Sequence, residues 1–419
     1  MISLISSIIF TLQSELVSVH LVTRHGDRNP IQNYAFDPQA PTDGLLTKAG
    51  ERRMWMIGHS IGERYRKEFS TAQQYSPAHY TLRSTHTNRT IESLNQLTNG
   101  FFTSLSGKDL SISPTILPTL DDYHIFTQKQ DFIAFPSTTC KAGFVRMARQ
   151  FSLPPFLEMV QEHEAIISKV QRELNISATG WNLVMLLDTL QILTEIGRHL
   201  PSSFTDADIK AIKFARDQLF SITVPLSDPA FCDAAASQFA EDLFFTHPQG
   251  IVKSSETNTS QTIHPHLYIY SSHDITHLSL GGCFGIDIME YFPNYGSVLL
   301  VEEHRLDNES YFRFFYDYSP TTDGKLNLKE IHPHSKVTKH GISLSDLQHQ
   351  WEHTHEAIVN GTWMSTICQG ITSPFTMAVA LKPVLVYSVL CAIFVIDLII
   401  FYYCWRYCKK KQPTKEHQN

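Results

Sequence analysis

The chain has 419 residues, long enough for one large domain or two. Its 41 Asp and Glu against 34 Lys and Arg give a net charge of −7, which offers nothing to a nucleic acid. A hydrophobic share of 42% suits a globular protein with a sizeable core.

Met1 to Leu12 is uncharged and rich in Ile, Leu and Phe, the pattern of the apolar region of a secretory signal peptide. Residues 1–14 are read as that leader, the alternative being a first buried strand. Val17-Ser-Val-His-Leu-Val-Thr23 then reads as a buried strand. It runs straight into Arg24-His25-Gly26-Asp27-Arg28-Asn29-Pro30. Gly26 lets the backbone turn tightly and approach a ligand. In an open α/β sheet, ligands collect beyond the carboxyl ends of strands. Two arginine forks at such a point suit a phosphate group. His25 between them has three readings: nucleophile, phosphate contact or structural residue.

A loop follows, and Thr47 is placed to cap a helix carrying Met54, Ile57, Ile61, Tyr65 and Phe69 at helical spacing. Ala78 to Leu82 reads as a second strand. It ends in Arg83-Ser-Thr-His86-Thr-Asn88-Arg89-Thr90 and a helix carrying Ile91, Leu94 and Leu97. From about 131 to 250 the character changes. The amphipathic runs Leu157 to Leu174, Thr179 to His199 and Asp206 to Phe220, punctuated by Pro and Gly, predict a helical insertion over one side of the sheet. His266 to Ser272 is a third strand ending in His273-Asp274, which taken alone would pass for an ordinary turn. Pro293 to His304 and Tyr311 to Asp317 predict an antiparallel pair at the sheet edge. His349 and His353 have the spacing of a metal pair, but with no third ligand nearby they read as a solvated face, so no metal or cofactor is expected.

Val384 to Trp405 is almost entirely apolar, and about 20 such residues span a bilayer core. Asp397 inside it costs about 2.5–3.5 kcal/mol, against a gain of about 4–8 kcal/mol from the Val, Leu, Ile and Phe residues, so insertion wins. Arg406, Lys409, Lys410 and Lys411 follow at once, which places the tail in the cytosol. The expected layout is a domain over 15–372 in the lumen or outside the cell, a transmembrane helix over 383–405 and a cytoplasmic tail over 406–419. Cys140, Cys232, Cys283 and Cys368 precede the span, and four cysteines allow three pairings. Asn175, Asn258, Asn308 and Asn360 lie in glycosylation sequons.

The string Arg24-His25-Gly26-x-Arg28-x-Pro30 resembles the signature of the histidine acid phosphatases. Tyr270-Ser-x-His273-Asp274-x-Thr276 matches that family's second signature, and the likeness extends from about Glu15 to Gln369. The layout of leader, lumenal domain, span and short tail is also similar. The resemblance implies a mixed α/β sheet flanked by helices with a helical cap. It further implies hydrolysis of phosphate monoesters, on small molecules or phosphoproteins, through a phosphohistidine on His25. Arg24, Arg28, Arg83 and His273 would hold the phosphate, and Asp274 would be the general acid. Arg83 carries this role from the family's Arg-Ser-Thr-x-x-x-Arg-Thr string, although His86 and Asn88 stand where relatives tend to have Asp. The resemblance also implies a homodimer, a lysosomal or cell-surface location and a Cys140–Cys368 bridge. In relatives the partner of Cys232 lies in the strand after Pro293, where this chain has Val298, which leaves Cys283. Two alternatives stay open: a phytase or inositol-polyphosphate phosphatase of the same family, and an inactive membrane-anchored binding protein.

Overall fold

The structure, a computed structural model, describes residues 14–32, 34, 37–70, 72–106, 118–126, 147–224, 239, 243, 265–283, 292–306, 309–332 and 338–350. All of them belong to the compact unit Met1–Cys368. The leader, the membrane span and the tail lie outside the described residues. So do Cys140, Cys232, Cys368, the side chain of Cys283, Asn258, Asn308, Asn360 and His353. Among the described residues no helix is long and apolar enough to cross a membrane.

The centre of the sheet is β1 (Glu15–Arg24). Val17, Val19, Leu21 and Val22 are buried on both faces, so an unbroken run from Val17 to Arg24 leaves the solvent. β1 pairs in parallel with β4 (His266–Ser272) and antiparallel with β5 (Val298–Leu306). β2 (Tyr80–Thr85) lies parallel to β4 on its other side, and β3 (Tyr123–Phe126) lies parallel to β2. Beyond β5 come β6 (Glu309–Asp317) and β7 (Lys329–Ile331), both antiparallel, while β8 (Ile342–Ser343) also pairs with β6. The order is β3-β2-β4-β1-β5-β6-β7. The expected antiparallel pair therefore forms, but β7 and β8 cover its outer strand, so the pair is not the edge.

Alternation along β1 divides the core in two. Val19 and Leu21 pack with α1 (Lys48–Arg64) and α2 (Asn88–Ser106). Val22 faces the other way, into a cluster shared with α3 (Pro154–Glu162), α4 (Glu164–Leu174), α5 (Gly180–Glu195), α6 (Asp206–Ile222) and α7 (Asp274–Cys283). The helical insertion thus covers one face, as its periodicity predicts. A short helix, α8 (Leu344–Gln350), closes the described part. Thr47 caps α1 by accepting from the backbone N–H of Gly50 at 3.1 Å.

Because β2, β4 and β1 are adjacent and parallel, their carboxyl ends fall side by side. Arg24 is level with Ser272, and Ser84 with Ser271. The loop after β1 is pressed onto the first turn of α1: a Cβ on Gly26 would lie 2.6 Å from the Gly50 carbonyl oxygen. Only glycine fits so close a backbone contact.

Candidate active site

Arg24 ends β1 and is 1% exposed. Its guanidinium donates from Nη1 to the Pro293 carbonyl (2.7 Å), pairs through Nη2 with Asp274 Oδ2 (2.7 Å) and lies 4.3 Å from the centre of the Tyr295 ring. His25 comes next, also buried. Its Nδ1 lies 2.8 Å from the Gly26 carbonyl, which can only accept. Nδ1 therefore carries the proton in the neutral ring, and Nε2 keeps the lone pair. Burial pulls the His25 pKa well below the ordinary histidine value, and the charges of Arg89 and Arg24 pull the same way, with His273 and Arg28 adding to them.

Arg28 is held by a carboxylate from the helical insertion: its Nη2 lies 2.9 Å from Asp188 Oδ2 on α5. Burial works against the Arg28 charge, but Asp188 more than offsets it and raises the pKa. Behind these residues Arg53 forks onto Asp27, at 2.7 and 3.0 Å, which fixes the loop between His25 and Arg28 against α1.

β4 delivers His273 and Asp274 at the start of α7. Arg89, in the first turn of α2, donates from Nη2 to His273 Nδ1 at 3.3 Å. The opposite nitrogen, Nε2, then donates to Thr85 Oγ1 at 2.9 Å. The His25 and His273 rings meet edge to face, 5.5 Å apart. Asp274 accepts from the Ile275 backbone N–H at 2.9 Å as well as pairing with Arg24. Burial alone would raise its pKa, but Arg24, His273, Arg28 and Arg216 outweigh burial and hold the carboxyl below its usual range. Arg89 has no carboxylate within bonding distance among the described residues. Burial and the neighbouring Arg28 bring its pKa down to about 10. Three arginines against Asp274 and Asp188 leave the group net positive, a site short of an anion.

Five of the six expected site residues, Arg24, His25, Arg28, His273 and Asp274, come together here. Arg83 lies elsewhere in the sheet. It pairs with Tyr270 in the sheet, two rows short of the carboxyl edge marked by Ser272, and its guanidinium lies over the Tyr270 ring at 5.5 Å. The second arginine of the same string, Arg89, stands beside the histidines instead. A strand tip draws attention to Arg83, whereas the first turn of the next helix carries the side chain that reaches His273. Asp188 and Tyr295 also escape the sequence. The signal for Asp188 is its isolation: the stretch from Leu183 to Leu193 is buried throughout and has no other charge. His86 and Asn88 are exposed. Asn175 is an exposed left-handed C-cap of α4, a position open to a glycan. No group of three or more His, Cys, Asp or Glu among the described residues is arranged to hold a metal.

Fold and site together define an α/β protein with a buried histidine pair and an arginine cluster at the carboxyl edge of its sheet. Residues 15–142 match the histidine phosphatase superfamily (branch 2). Lysosomal acid phosphatase of Rattus norvegicus is 25% identical over 312 residues, covering 70% of each chain. Prostatic acid phosphatase of Homo sapiens is 36% identical over 87 residues, 20% of this chain and 22% of that one. The solved Hafnia alvei phytase with tartrate superposes with a TM-score of 0.55 at 14% identity, covering 81% of this chain and 97% of the other, which is a likeness of fold. Over residues 15–142, which hold Arg24, His25, Arg28 and Arg89, the chain is thus similar to branch 2 of the histidine phosphatase superfamily, and its curated relatives are acid phosphatases.

Proposed function

We propose that this protein is an acid phosphatase that hydrolyses phosphate monoesters through a phosphohistidine on His25. The observation that carries the reading is the tautomer of His25. With Nδ1–H given to the Gly26 carbonyl, Nε2 offers its lone pair beside three guanidinium groups. Arg24, Arg28 and Arg89, aided by His273, neutralise the phosphoryl oxygens. His25 Nε2 bonds to phosphorus as the ester P–O bond breaks, and Asp274 gives the departing alcohol its proton. Water then attacks the phosphohistidine, Asp274 takes the water's proton, and the P–N bond breaks to release phosphate. Asp274 is ionised at rest, held so mainly by Arg24. A bound phosphate draws on the same arginine charge and repels the carboxylate, so binding itself raises the Asp274 pKa and favours its acid form.

The placement of the domain in the lumen of the lysosome or at the cell surface follows the acid phosphatase relatives. The leader over 1–14, the anchor over 383–405, the cytoplasmic tail, the Cys140–Cys368 and Cys232–Cys283 bridges, the four glycans and a homodimer complete the proposal, resting on the sequence pattern and the family resemblance. The test is an assay of the purified full chain on phenyl phosphate at acidic pH. Release of inorganic phosphate is expected, and its absence would leave the alternative of an inactive binding protein.

A further inference from the structure

The turn before β5 sets a phenol beside His25. Asn294 to Ser297 form a β-turn, closed by the Ser297 N–H donating to the Asn294 carbonyl at 3.0 Å. Gly296, at its third position, has a φ of 71°, which favours glycine and leaves Tyr295 at the tip. The turn is bound to the end of β1 at three points. The Arg24 N–H donates to the Ser297 carbonyl at 3.0 Å, the Gly296 N–H donates to the His25 carbonyl at 3.2 Å, and Arg24 Nη1 donates to the Pro293 carbonyl at 2.7 Å. Tyr295 is thus fixed relative to both Arg24 and His25. Its ring centre lies 4.3 Å from the Arg24 guanidinium and 5.7 Å from the centre of the His25 ring.

Tyr295 is 8% exposed, and its hydroxyl is neither sealed in the core nor hydrogen-bonded to another described residue. A phenol in so buried a place ordinarily has a partner, so an unpaired one beside an arginine cluster is a donor open to a ligand. The charges that reach it are those of the site, Arg28 and Arg24, with Glu195 and Asp188 opposing them. Burial raises its pKa far above the ordinary tyrosine value in spite of the two arginines, so the phenol keeps its proton. Toward an anion it then acts as a donor. We propose, on the phosphatase reading, that Tyr295 is a further catalytic residue, whose hydroxyl donates a hydrogen bond to a phosphoryl oxygen between Arg24 and Arg28 as the phosphoryl group moves to His25. No covalent bond to Tyr295 forms or breaks, and its proton stays on the phenol. Charge on the phosphoryl oxygens is what the site must hold in the transition state, and a donor fixed in advance holds it without reorganising. The ring by itself supports Arg24 through its face, a role that phenylalanine would keep.

The test compares the full-length wild type with Tyr295→Phe and Tyr295→Leu. Three quantities are measured: kcat/KM on phenyl phosphate, inhibition by vanadate, which mimics the five-coordinate phosphoryl group, and Tm. Tyr295→Phe keeps the ring against Arg24 and removes only the hydroxyl. It is expected to lose about 10–100-fold in kcat/KM, the range of one hydrogen bond to a charged acceptor, and to weaken vanadate inhibition by a similar factor. Its Tm should stay at the wild-type value, because the hydroxyl has no partner among the described residues to lose. Tyr295→Leu should lose more activity and also lower Tm, because the packing on Arg24 goes too. Wild-type kcat/KM in Tyr295→Phe would overturn the inference and leave the ring as a support for Arg24. So would a loss of kcat/KM with vanadate inhibition unchanged, since the hydroxyl would then not touch the phosphoryl group. Both results leave the phosphatase reading intact. No turnover of phenyl phosphate by the wild type would remove that reading itself, and the inference with it.

Discussion

Arg89 donates from Nη2 to Nδ1 of His273 across 3.3 Å, joining the first turn of α2 to the start of α7. The bond fixes the tautomer of His273 and sets Arg89 beside the two histidines, while Arg83 lies over Tyr270. Arg89→Ala is therefore expected to lose about 3–4 kcal/mol of transition-state stabilisation, the usual loss when a preorganised charge donor is removed. Arg83→Ala should lose much less. Measuring kcat/KM for both variants decides the assignment, and the reverse ranking would restore Arg83 to the site.

His25→Ala should abolish turnover while the protein still folds, because the other imidazole of the group, His273, has both ring nitrogens engaged, by Arg89 and Thr85. The wild type, quenched in acid after a short exposure to labelled substrate, should carry label on His25. Label on another residue would reject His25 as the nucleophile. Burial and the arginines hold His25 neutral below the ordinary histidine range. Activity should accordingly persist as the pH falls through 6, where an unperturbed histidine would already be gaining its proton.

Much of this was legible because the chemistry sits at strand ends. Val17 to Thr23 and His266 to Ser272 announce themselves as strands, and Arg24-His25 and His273-Asp274 follow without a gap. Parallel pairing then brings the ends together. Two of the three site residues missed from the sequence come from helices, and Tyr295 from the turn before β5. Arg89 reaches the site by its rotation about α2, and Asp188 from a helix buried all round, where periodicity carries no phase. β2 runs from Tyr80 to Thr85, later than the apolar Ala78–Leu82 stretch, because its polar end is paired between β4 and β3. β3 is four residues long and has no pattern to read.

The contact between Gly26 and Gly50 predicts a remote loss of activity. A Cβ on Gly50 would lie 2.3 Å from the Asp27 carbonyl oxygen, and backbone cannot move aside cheaply. Gly50→Ala should push the His25–Arg28 loop off α1. The expected cost is about 1–3 kcal/mol of stability, as for other overpacked sites. The same variant should lose kcat, although residue 50 touches no substrate. Full activity with unchanged thermal stability would mean the loop tolerates the shift.

Acid should weaken the fold through its buried histidines. Burial is the chief cause in each case: His266 is brought down to about 4 and His277 to about 3, and His25 and His273 also fall well below their ordinary value. The unfolded chain binds protons at these positions near pH 6.5, whereas the folded chain does so only at lower pH. Stability therefore rises with pH across that window and is lost as pH falls from 6.5 toward 3. His277→Leu removes one such group, 0% exposed and outside the proposed chemistry. The drop in Tm between pH 7 and pH 4 should be smaller in this variant than in the wild type. An equal drop would show that His277 does not contribute to the acid sensitivity.

Asp274 can act in two ways that a single activity loss does not separate. It pairs with Arg24 at 2.7 Å, so removing its charge disturbs a phosphate-binding arginine as well as the proposed acid. The leaving group separates the two roles. An alkyl phosphate departs as a poor leaving group and needs the proton. An aryl phosphate bearing a nitro group departs without one. Asp274→Asn keeps the size of the side chain and an acceptor oxygen for Arg24, but cannot give up a proton. It should therefore slow the alkyl ester far more than the nitrophenyl ester, by about 10²–10⁴-fold against a small change, the range typical of general acid catalysis. The dependence of kcat on leaving-group pKa should become steeper in the variant for the same reason. Equal losses on both esters would assign Asp274 to holding Arg24 in place and leave the proton donor to be sought elsewhere.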